Sequence, residues 1–163
     1  MRLTILILLC LTHAALSAAT LTGRTVRVTD GDTIFILSEG NVQQKIRLQG
    51  IDAPARGQAY GTKSKEHLSD LVAGRLVVVE YEKRDRYGRI VGQVLFGNED
   101  GCLEKISAGY AWHYKKYQNA QTETDRQLYS EAEIEARDAK RGLSQDPHAI
   151  APWEYRVAER SHR

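Results

Sequence analysis

The residues best suited to chemistry in this sequence are three aspartates near the ends of predicted strands. Asp30 and Asp32 bracket Gly31 in the stretch VTDGDT, and Asp52 follows in the stretch RLQGIDAP. Hard divalent cations prefer oxygen ligands, and calcium takes about 6 to 8 of them from carboxylates, carbonyls and waters. Each aspartate alone is equally typical of a turn. Taken together, they predict that two or three carboxylates from separate segments converge on one cation.

Two arginines add a second kind of chemistry. Arg47 lies within a predicted strand, and Arg89 follows the turn sequence DRYG. A guanidinium group binds two phosphate oxygens at once. Two arginines beside a cation can therefore neutralise a phosphoryl group that gains charge in its transition state. For either arginine alone, an ion-paired or surface position is the alternative interpretation.

A third candidate is the aromatic stretch GYAWHYKKY at residues 109–117. Tyr114 and Tyr117 alternate there with lysines that include Lys115. Aromatic faces stack on nucleotide bases, and lysines meet backbone phosphates. Aromatic residues after a helix are also typical of core packing. The stretch is therefore compatible with either role.

Short strands and helices must position these residues. Alternation of polar and apolar residues predicts strands at 22–29, 33–37, 44–49, 75–83 and 90–96. Helical spacing of apolar residues predicts helices at 60–73, 102–109 and 123–141. Five short strands with about three helices indicate an α+β domain, and closure of the strands into an OB-fold-like β-barrel would remove their exposed edges.

The N-terminal segment predicts export. Residues 1–19 combine a positive start, a short apolar run and small residues, as a secretory signal peptide does. The run is too short to span a bilayer. Residues 20–155 then form one domain with a tail at 156–163, and Cys102 is the only cysteine left. We expect a monomer, periplasmic or secreted, with no membrane contact beyond the cleaved leader.

The motifs VTDGDT, RLQGIDAP and DRYGR, in this order and spacing, resemble the staphylococcal nuclease (thermonuclease) family. The resemblance extends from about Thr22 to Trp153. It implies a five-stranded OB-like barrel with three helices. It also implies an exported, calcium-dependent endonuclease that hydrolyses phosphodiester bonds of DNA and RNA by metal-activated water. Magnesium and manganese also suit oxygen ligands.

The resemblance implies a role for each candidate residue by position. The metal ligands would be Asp32, Asp52 and the backbone carbonyl of Ala53, with Asp30 nearby. Arg47 and Arg89 would be the catalytic arginines that bind the scissile phosphate. Substrate contacts would come from Arg86, Tyr87, Tyr114, Lys115 and Tyr117.

Ala55 departs from the family pattern, which carries a glutamate at this position as the general base. A positioned base contributes about 10² to 10⁴-fold to rate, so its loss costs on the order of 3 to 5 kcal/mol of barrier. Ala55 therefore predicts a weakened enzyme, or one in which another group such as Glu39 or Glu66 acts as base. The alternative is a catalytically silent nucleic-acid-binding or nucleotide-binding domain of the same fold.

Overall fold

The computed structural model describes residues 19–161. Its strands are β1 (Ala19–Asp30), β2 (Thr33–Ser38), β3 (Val42–Leu48), β4 (Ile51–Asp52), β5 (Leu76–Arg84), β6 (Ile90–Phe96), β7 (Glu99–Asp100) and β8 (Trp112–His113). Its α-helices are α1 (Gly61–Val72), α2 (Gly101–Ser107), α3 (Glu123–Asp138) and α4 (Pro152–Ser161). The predicted signal peptide lies outside the described residues except for Ala19, which begins β1.

Five strands close into a barrel, which confirms the predicted α+β, OB-fold-like architecture. The order β3-β2-β1-β5-β6 is antiparallel throughout, and β3 also pairs in parallel with β6. That last pairing joins Ile46 to Ile90 and Arg47 to Val91. Side chains alternate between the two faces of a strand, so Ile46 and Leu48 are buried inside while Arg47 points out of the barrel.

The predicted strands and helices are confirmed with small shifts at their ends. Asp100 caps α2, because its side chain accepts a hydrogen bond from the amide of Cys102. Thr122 caps α3 in the same way, through the amide of Asp125. Helix α3 ends before the predicted residue 141 because Lys140 has a positive φ of 51°, which a right-handed helix cannot contain, and a short 3₁₀ segment, Gly142–Gln145, follows. Further 3₁₀ segments occupy Glu39–Asn41 and Lys115–Ala120.

A fourth helix, α4, was not predicted from the sequence. It begins at Pro152 and runs through the position where we placed the boundary between domain and tail. Proline suits the first turn of a helix, because the amide it lacks would have no partner there. Trp153 of α4 stacks on Tyr114, with ring centroids 5.4 Å apart and planes 7° apart. Within residues 19–161, no helix has the length and apolar character needed to cross a membrane.

A buried lysine joins α1 to α2. The side chain of Lys105 is fully buried, and its Nζ donates hydrogen bonds to the backbone carbonyl and to Oγ of Ser64, the latter at 2.9 Å. Burial lowers the pKa of Lys105 from its ordinary 10.5 to about 7, although the charge of Asp32 opposes the shift. Folding near neutral pH therefore has to desolvate an ammonium group or remove its proton.

We expect Lys105→Met to stabilise the protein by on the order of 2 to 4 kcal/mol at pH 7, because an apolar side chain of similar length needs no desolvation of charge. Between pH 7 and 10.5 the unfolded chain binds the lysine proton and the folded chain does not, so the stability of the native protein rises with pH across that window. The difference in stability between Lys105→Met and the native chain should therefore decrease as the pH rises.

Urea unfolding at pH 7 and pH 9.5 measures both effects. Exposed Lys63→Met is the matched control, which should stay within about 0.5 kcal/mol of the native chain. A variant less stable than the native protein at pH 7 would show that the hydrogen bonds of Lys105 outweigh its desolvation.

Candidate active site

The hairpin between β1 and β2 places Asp32 beside Asp30. The amide of Asp32 donates to Oδ1 of Asp30 at 3.2 Å, and Thr33 Oγ1 donates to Oδ1 of Asp32 at 2.9 Å. The intervening Gly31 has no room for a side chain, because an added Cβ would lie 2.2 Å from Ser64 Oγ. The turn is therefore pressed against α1, which fixes the direction of the Asp32 carboxylate.

Asp52 reaches the same place from a separate strand, β4. It lies in β4 opposite Trp112 of β8, and its side chain has no exposed surface. The next residue, Ala53, donates its amide to Oδ2 of Asp32 at 3.3 Å. The two carboxylates predicted as metal ligands are therefore neighbours, although 20 residues of sequence separate them.

Arg47 bridges these two carboxylates. Its Nη1 lies 3.0 Å from Asp32 Oδ2, and its Nη2 lies 3.1 Å from Asp52 Oδ1. The three side chains are 14%, 11% and 0% exposed respectively. Buried like charges repel one another unless a cation lies between them. The guanidinium thus serves as the internal counterion of the pair.

The protonation behaviour of the aspartates follows from this packing. Burial, with the charge of Asp32 beside it, raises the pKa of Asp30 to about 6. Burial alone would raise the pKa of Asp32, but the Arg47 charge and several hydrogen bonds hold that pKa below its ordinary value. For Asp52, burial raises the pKa despite the opposing effects of Arg156 and Arg47. Asp32 is therefore the most firmly ionised of the three.

The donor chemistry fits a hard divalent cation. Asp32 and Asp52 both contact the Arg47 guanidinium, at 3.0 and 3.1 Å, and carboxylate oxygens are ligands that hard divalent cations prefer. Among residues 19–161, no group of three or more His, Cys, Asp and Glu side chains is arranged for metal binding. An ion here would therefore use the two carboxylates together with backbone oxygens, such as that of Ala53, and waters.

The sequence analysis missed a second arginine at this site. Arg156 of α4 donates from Nη1 to Asp52 Oδ1 at 3.1 Å and from Nη2 to Asp52 Oδ2 at 2.6 Å. These contacts join residues 104 positions apart. The only local signal was a basic residue three positions after Trp153, and such a residue is common on exposed helix faces. Nothing in the sequence pattern directs it to Asp52.

Arg89 lies in a different environment from Arg47. Its Nε donates to Asp85 Oδ2 at 2.7 Å, and its amide donates to Asp85 Oδ1 at 3.0 Å. Both groups belong to the turn before β6, and no ion pair within residues 19–161 joins Arg89 to Asp32 or Asp52. Arg86 and Tyr87 share this turn, where Arg86 Nη2 lies 2.8 Å from the Tyr87 hydroxyl. Tyr87 is 68% exposed and open to a ligand.

The aromatic stretch divides between packing and surface. Tyr114 stacks one face on Trp153 and meets Tyr117 edge to face, with its ring centroid 5.0 Å from that of Tyr117 and planes 82° apart. Tyr117 remains 55% exposed, while Lys115 pairs with Glu133 of α3. Tyr117 therefore keeps the surface needed for base contact, whereas Tyr114 is half-buried with one face covered by Trp153.

Ala55 lies in a loop that Gln58 holds in place. The Ala55 amide donates to Gln58 Oε1 at 3.0 Å, and the Gln58 amide donates to the Ala55 carbonyl at 3.0 Å. Gln58 also donates through Nε2 to the carbonyl of Ile150 at 2.7 Å, just before α4. Glu39 and Glu66 are both exposed, and the polar contacts described for residues 19–161 bring neither of them to Asp32 or Asp52.

Comparison with known proteins gives consistent results. A family model described as staphylococcal nuclease homologue matches residues 45–146. An uncharacterised endonuclease of Haemophilus influenzae is 37% identical over 158 residues, which cover 97% of this chain and 85% of that protein. A micrococcal nuclease of Shigella flexneri is 38% identical over 148 residues, or 85% of this chain and 82% of that protein. The motifs around Asp52 and Arg89 fall within the matched region.

We expect Arg47→Ala to destabilise the metal-free chain by about 3 to 5 kcal/mol, because it leaves two buried carboxylates without their shared cation. Arg89→Ala is the matched control. Its partner Asp85 keeps hydrogen bonds from the backbone amides of Tyr87 and Arg89 when the arginine side chain is removed, so the loss should be smaller, about 1 kcal/mol.

Urea unfolding in the presence of a chelator measures both variants. Equal losses for the two would contradict the role of Arg47 as the counterion of Asp32 and Asp52.

Proposed function

The chain belongs to the staphylococcal nuclease family, and from that premise we propose that it is a calcium-dependent endonuclease that hydrolyses phosphodiester bonds of DNA and RNA. The proposal includes magnesium or manganese as alternative ions, since all three take oxygen ligands. It also includes export, because residues 1–19 have the pattern of a signal peptide. N-terminal sequencing of the mature protein would test the export.

One observation carries the proposal. Arg47 lies between two adjacent buried carboxylates, at 3.0 Å from Asp32 and 3.1 Å from Asp52. A binding domain gains nothing from burying like charges, which weaken the fold unless they are neutralised. A phosphoryl-transfer site needs negatively and positively charged side chains at one place. Carboxylates hold a cation, and a guanidinium binds phosphate oxygens.

The residues would share the work as follows. Asp32, Asp52 and the carbonyl of Ala53 would hold the divalent ion. When bound, that ion supplies Lewis-acid activation of water and neutralises charge on the phosphoryl oxygens. Arg47 would exchange some of its hydrogen bonds to the carboxylates for hydrogen bonds to the phosphate oxygens. It donates in a planar fork, which matches two oxygens of a phosphodiester.

Arg89 would bind the scissile phosphate from the turn before β6. Asp85 holds its guanidinium through Nε, which leaves the Nη groups free of the Asp85 contact. A positioned donor that meets charge developing in the transition state lowers the barrier without any reorganisation cost during the reaction. The neighbouring Tyr87, together with Tyr117, would contact the nucleotide.

Ala55 favours the second candidate function, a nucleic-acid-binding domain without turnover. Its methyl group can neither accept a proton nor orient water, and Glu39 and Glu66 offer no replacement contact to the carboxylate pair. The ion and the arginines can stabilise the transition state without a general base. We therefore propose slow hydrolysis as the first candidate function and binding without hydrolysis as the second.

We expect the native chain to cut denatured DNA slowly with calcium and not at all with chelator. Ala55→Glu should raise the rate by about 10² to 10⁴-fold, because it supplies the absent base. Acid-soluble nucleotide release measures both proteins, and Ala55→Gln is the matched control of similar size without a basic carboxylate.

The outcomes separate the two candidate functions. Hydrolysis by Ala55→Glu alone, together with salt-dependent DNA binding by the native chain, would favour the binding domain. Absence of hydrolysis by either protein would overturn the nuclease proposal.

We expect Arg89→Ala to lower kcat by about 10² to 10³-fold, since it removes one charged donor from the transition state. Because we expect the native chain to cut slowly, the effect is measured in the Ala55→Glu background. Arg137→Ala removes the same charge from an exposed position on α3, where the side chain is 61% exposed, and should leave kcat unchanged. Equal rates for Arg89→Ala and its parent would remove Arg89 from the proposed mechanism.

A further inference from the structure

The contact between Arg156 and Asp52 has no place in the proposed mechanism. Arg156 is bound to both oxygens of the Asp52 carboxylate, at 3.1 Å and 2.6 Å. The Asp52 side chain is completely buried, while that of Arg156 is 42% exposed. Under the proposed function, on which this inference rests, a divalent ion needs an oxygen of that same carboxylate.

Helix α4 delivers this guanidinium from a docked position. Trp153 stacks on Tyr114 and also meets Trp112 edge to face, with ring centroids 6.4 Å apart. Trp112 pairs directly with Asp52 in the two-stranded sheet. The hydrogen bond from Gln58 to the Ile150 carbonyl fastens the chain just before the helix. These contacts hold helix α4 in place, and the helix brings Arg156 beside Asp52.

Charge balance shows what happens when an ion arrives. Asp32 and Asp52 are each paired with a guanidinium group, Asp32 with that of Arg47 and Asp52 with those of Arg47 and Arg156, while the carboxyl of Asp30 lies beside Asp32. A divalent cation added to this group would face two positive neighbours at hydrogen-bonding distance from its own ligands, which is unfavourable in a buried site. One of the arginines has to withdraw.

Exposure and bonding identify Arg156 as the one that withdraws. Arg47 is only 14% exposed, contacts both carboxylates and also donates to the carbonyl of Leu48 at 3.0 Å. Within residues 19–161 the hydrogen bonds of the Arg156 side chain go to Asp52, and the side chain is 42% exposed. Transfer of its guanidinium to water therefore costs less than transfer of Arg47.

We propose that Arg156 is a further functional residue of this site. Its guanidinium binds the carboxylate oxygens of Asp52 in the metal-free chain, and a divalent cation has to displace it in order to bind there. Arg156 keeps the buried carboxylate paired when no ion is present, and it lowers the apparent affinity for the ion by competing for the same oxygens.

The test is a calorimetric titration of the full-length mature chain with calcium at pH 8. Arg156→Ala and Arg156→Gln should each bind calcium about tenfold more tightly than the native chain, the effect of removing one competing charge-assisted hydrogen-bonded pair. Arg160→Ala is the matched control on the same helix. Arg160 donates to the carbonyl of Arg156, and no ion pair within residues 19–161 joins it to Asp32 or Asp52, so calcium affinity should stay unchanged.

A second measurement follows the displaced group itself. NMR of ¹⁵N-labelled arginine side chains should show the Nη protons of Arg156 exchanging slowly with water in the metal-free chain and rapidly with saturating calcium. Circular dichroism and thermal melts establish that each variant is folded. Arg156→Gln keeps most of the side-chain length for packing if the alanine variant loses α4.

The outcomes distinguish this inference from the proposed function. Unchanged or weaker calcium binding by both Arg156 variants, with normal binding by the native chain, would overturn the competition and leave the metal site standing. Absence of calcium binding in the native chain and in all variants would overturn the metal site and the competition together.

Discussion

The structure depends on the burial of two like charges side by side. Asp32 and Asp52 arrive from separate segments, and the amide of Ala53 touches the Asp32 carboxylate. Their repulsion in a poorly solvated place would oppose folding unless a cation accompanied them. Strand β3 supplies that cation, because side-chain alternation directs Ile46 and Leu48 into the barrel and Arg47 outward to the two carboxylates. The same alternation that builds the core thus also provides the counterion.

Helix α3 and the 3₁₀ segment Lys115–Ala120 hold the segments around this pair. The amide of His113 donates to Glu133 Oε1 of α3 at 3.0 Å, and His113 belongs to the strand that pairs with Asp52. Gln49, just after β3, donates to the carbonyl of Ala120 at 2.6 Å. Both contacts are long-range and hydrogen-bonded, so they fix loops that would otherwise move. The carboxylates consequently have a defined position before any ligand arrives.

Sequence patterning predicted the parts of the fold that rest on local rules. Alternation identified the five barrel strands, and the resemblance carried by the motifs grouped Asp32, Asp52 and Arg47 at one site. It did not predict α4, because a short, highly charged segment with two prolines nearby resembles a tail. Arg156 could not be predicted, since its partner lies 104 residues away and the contact arises from the docking of Trp153. Arg89 was grouped with Arg47 by motif, yet it is paired with a different aspartate, because an i,i+4 contact with Asp85 was available.

The tight packing of Gly31 decides where this site can change. An alanine at this position would bring its Cβ to 2.2 Å from Ser64 Oγ and 2.7 Å from the Ala53 side chain. Close-packed interiors absorb such an overlap only at the expense of backbone movement. Position 55 is the opposite case, because Ala55 is half-buried and only its backbone groups are engaged by Gln58. Natural or designed substitutions are therefore excluded at Gly31, which packs against α1, and tolerated at Ala55, which lies in the loop before α1.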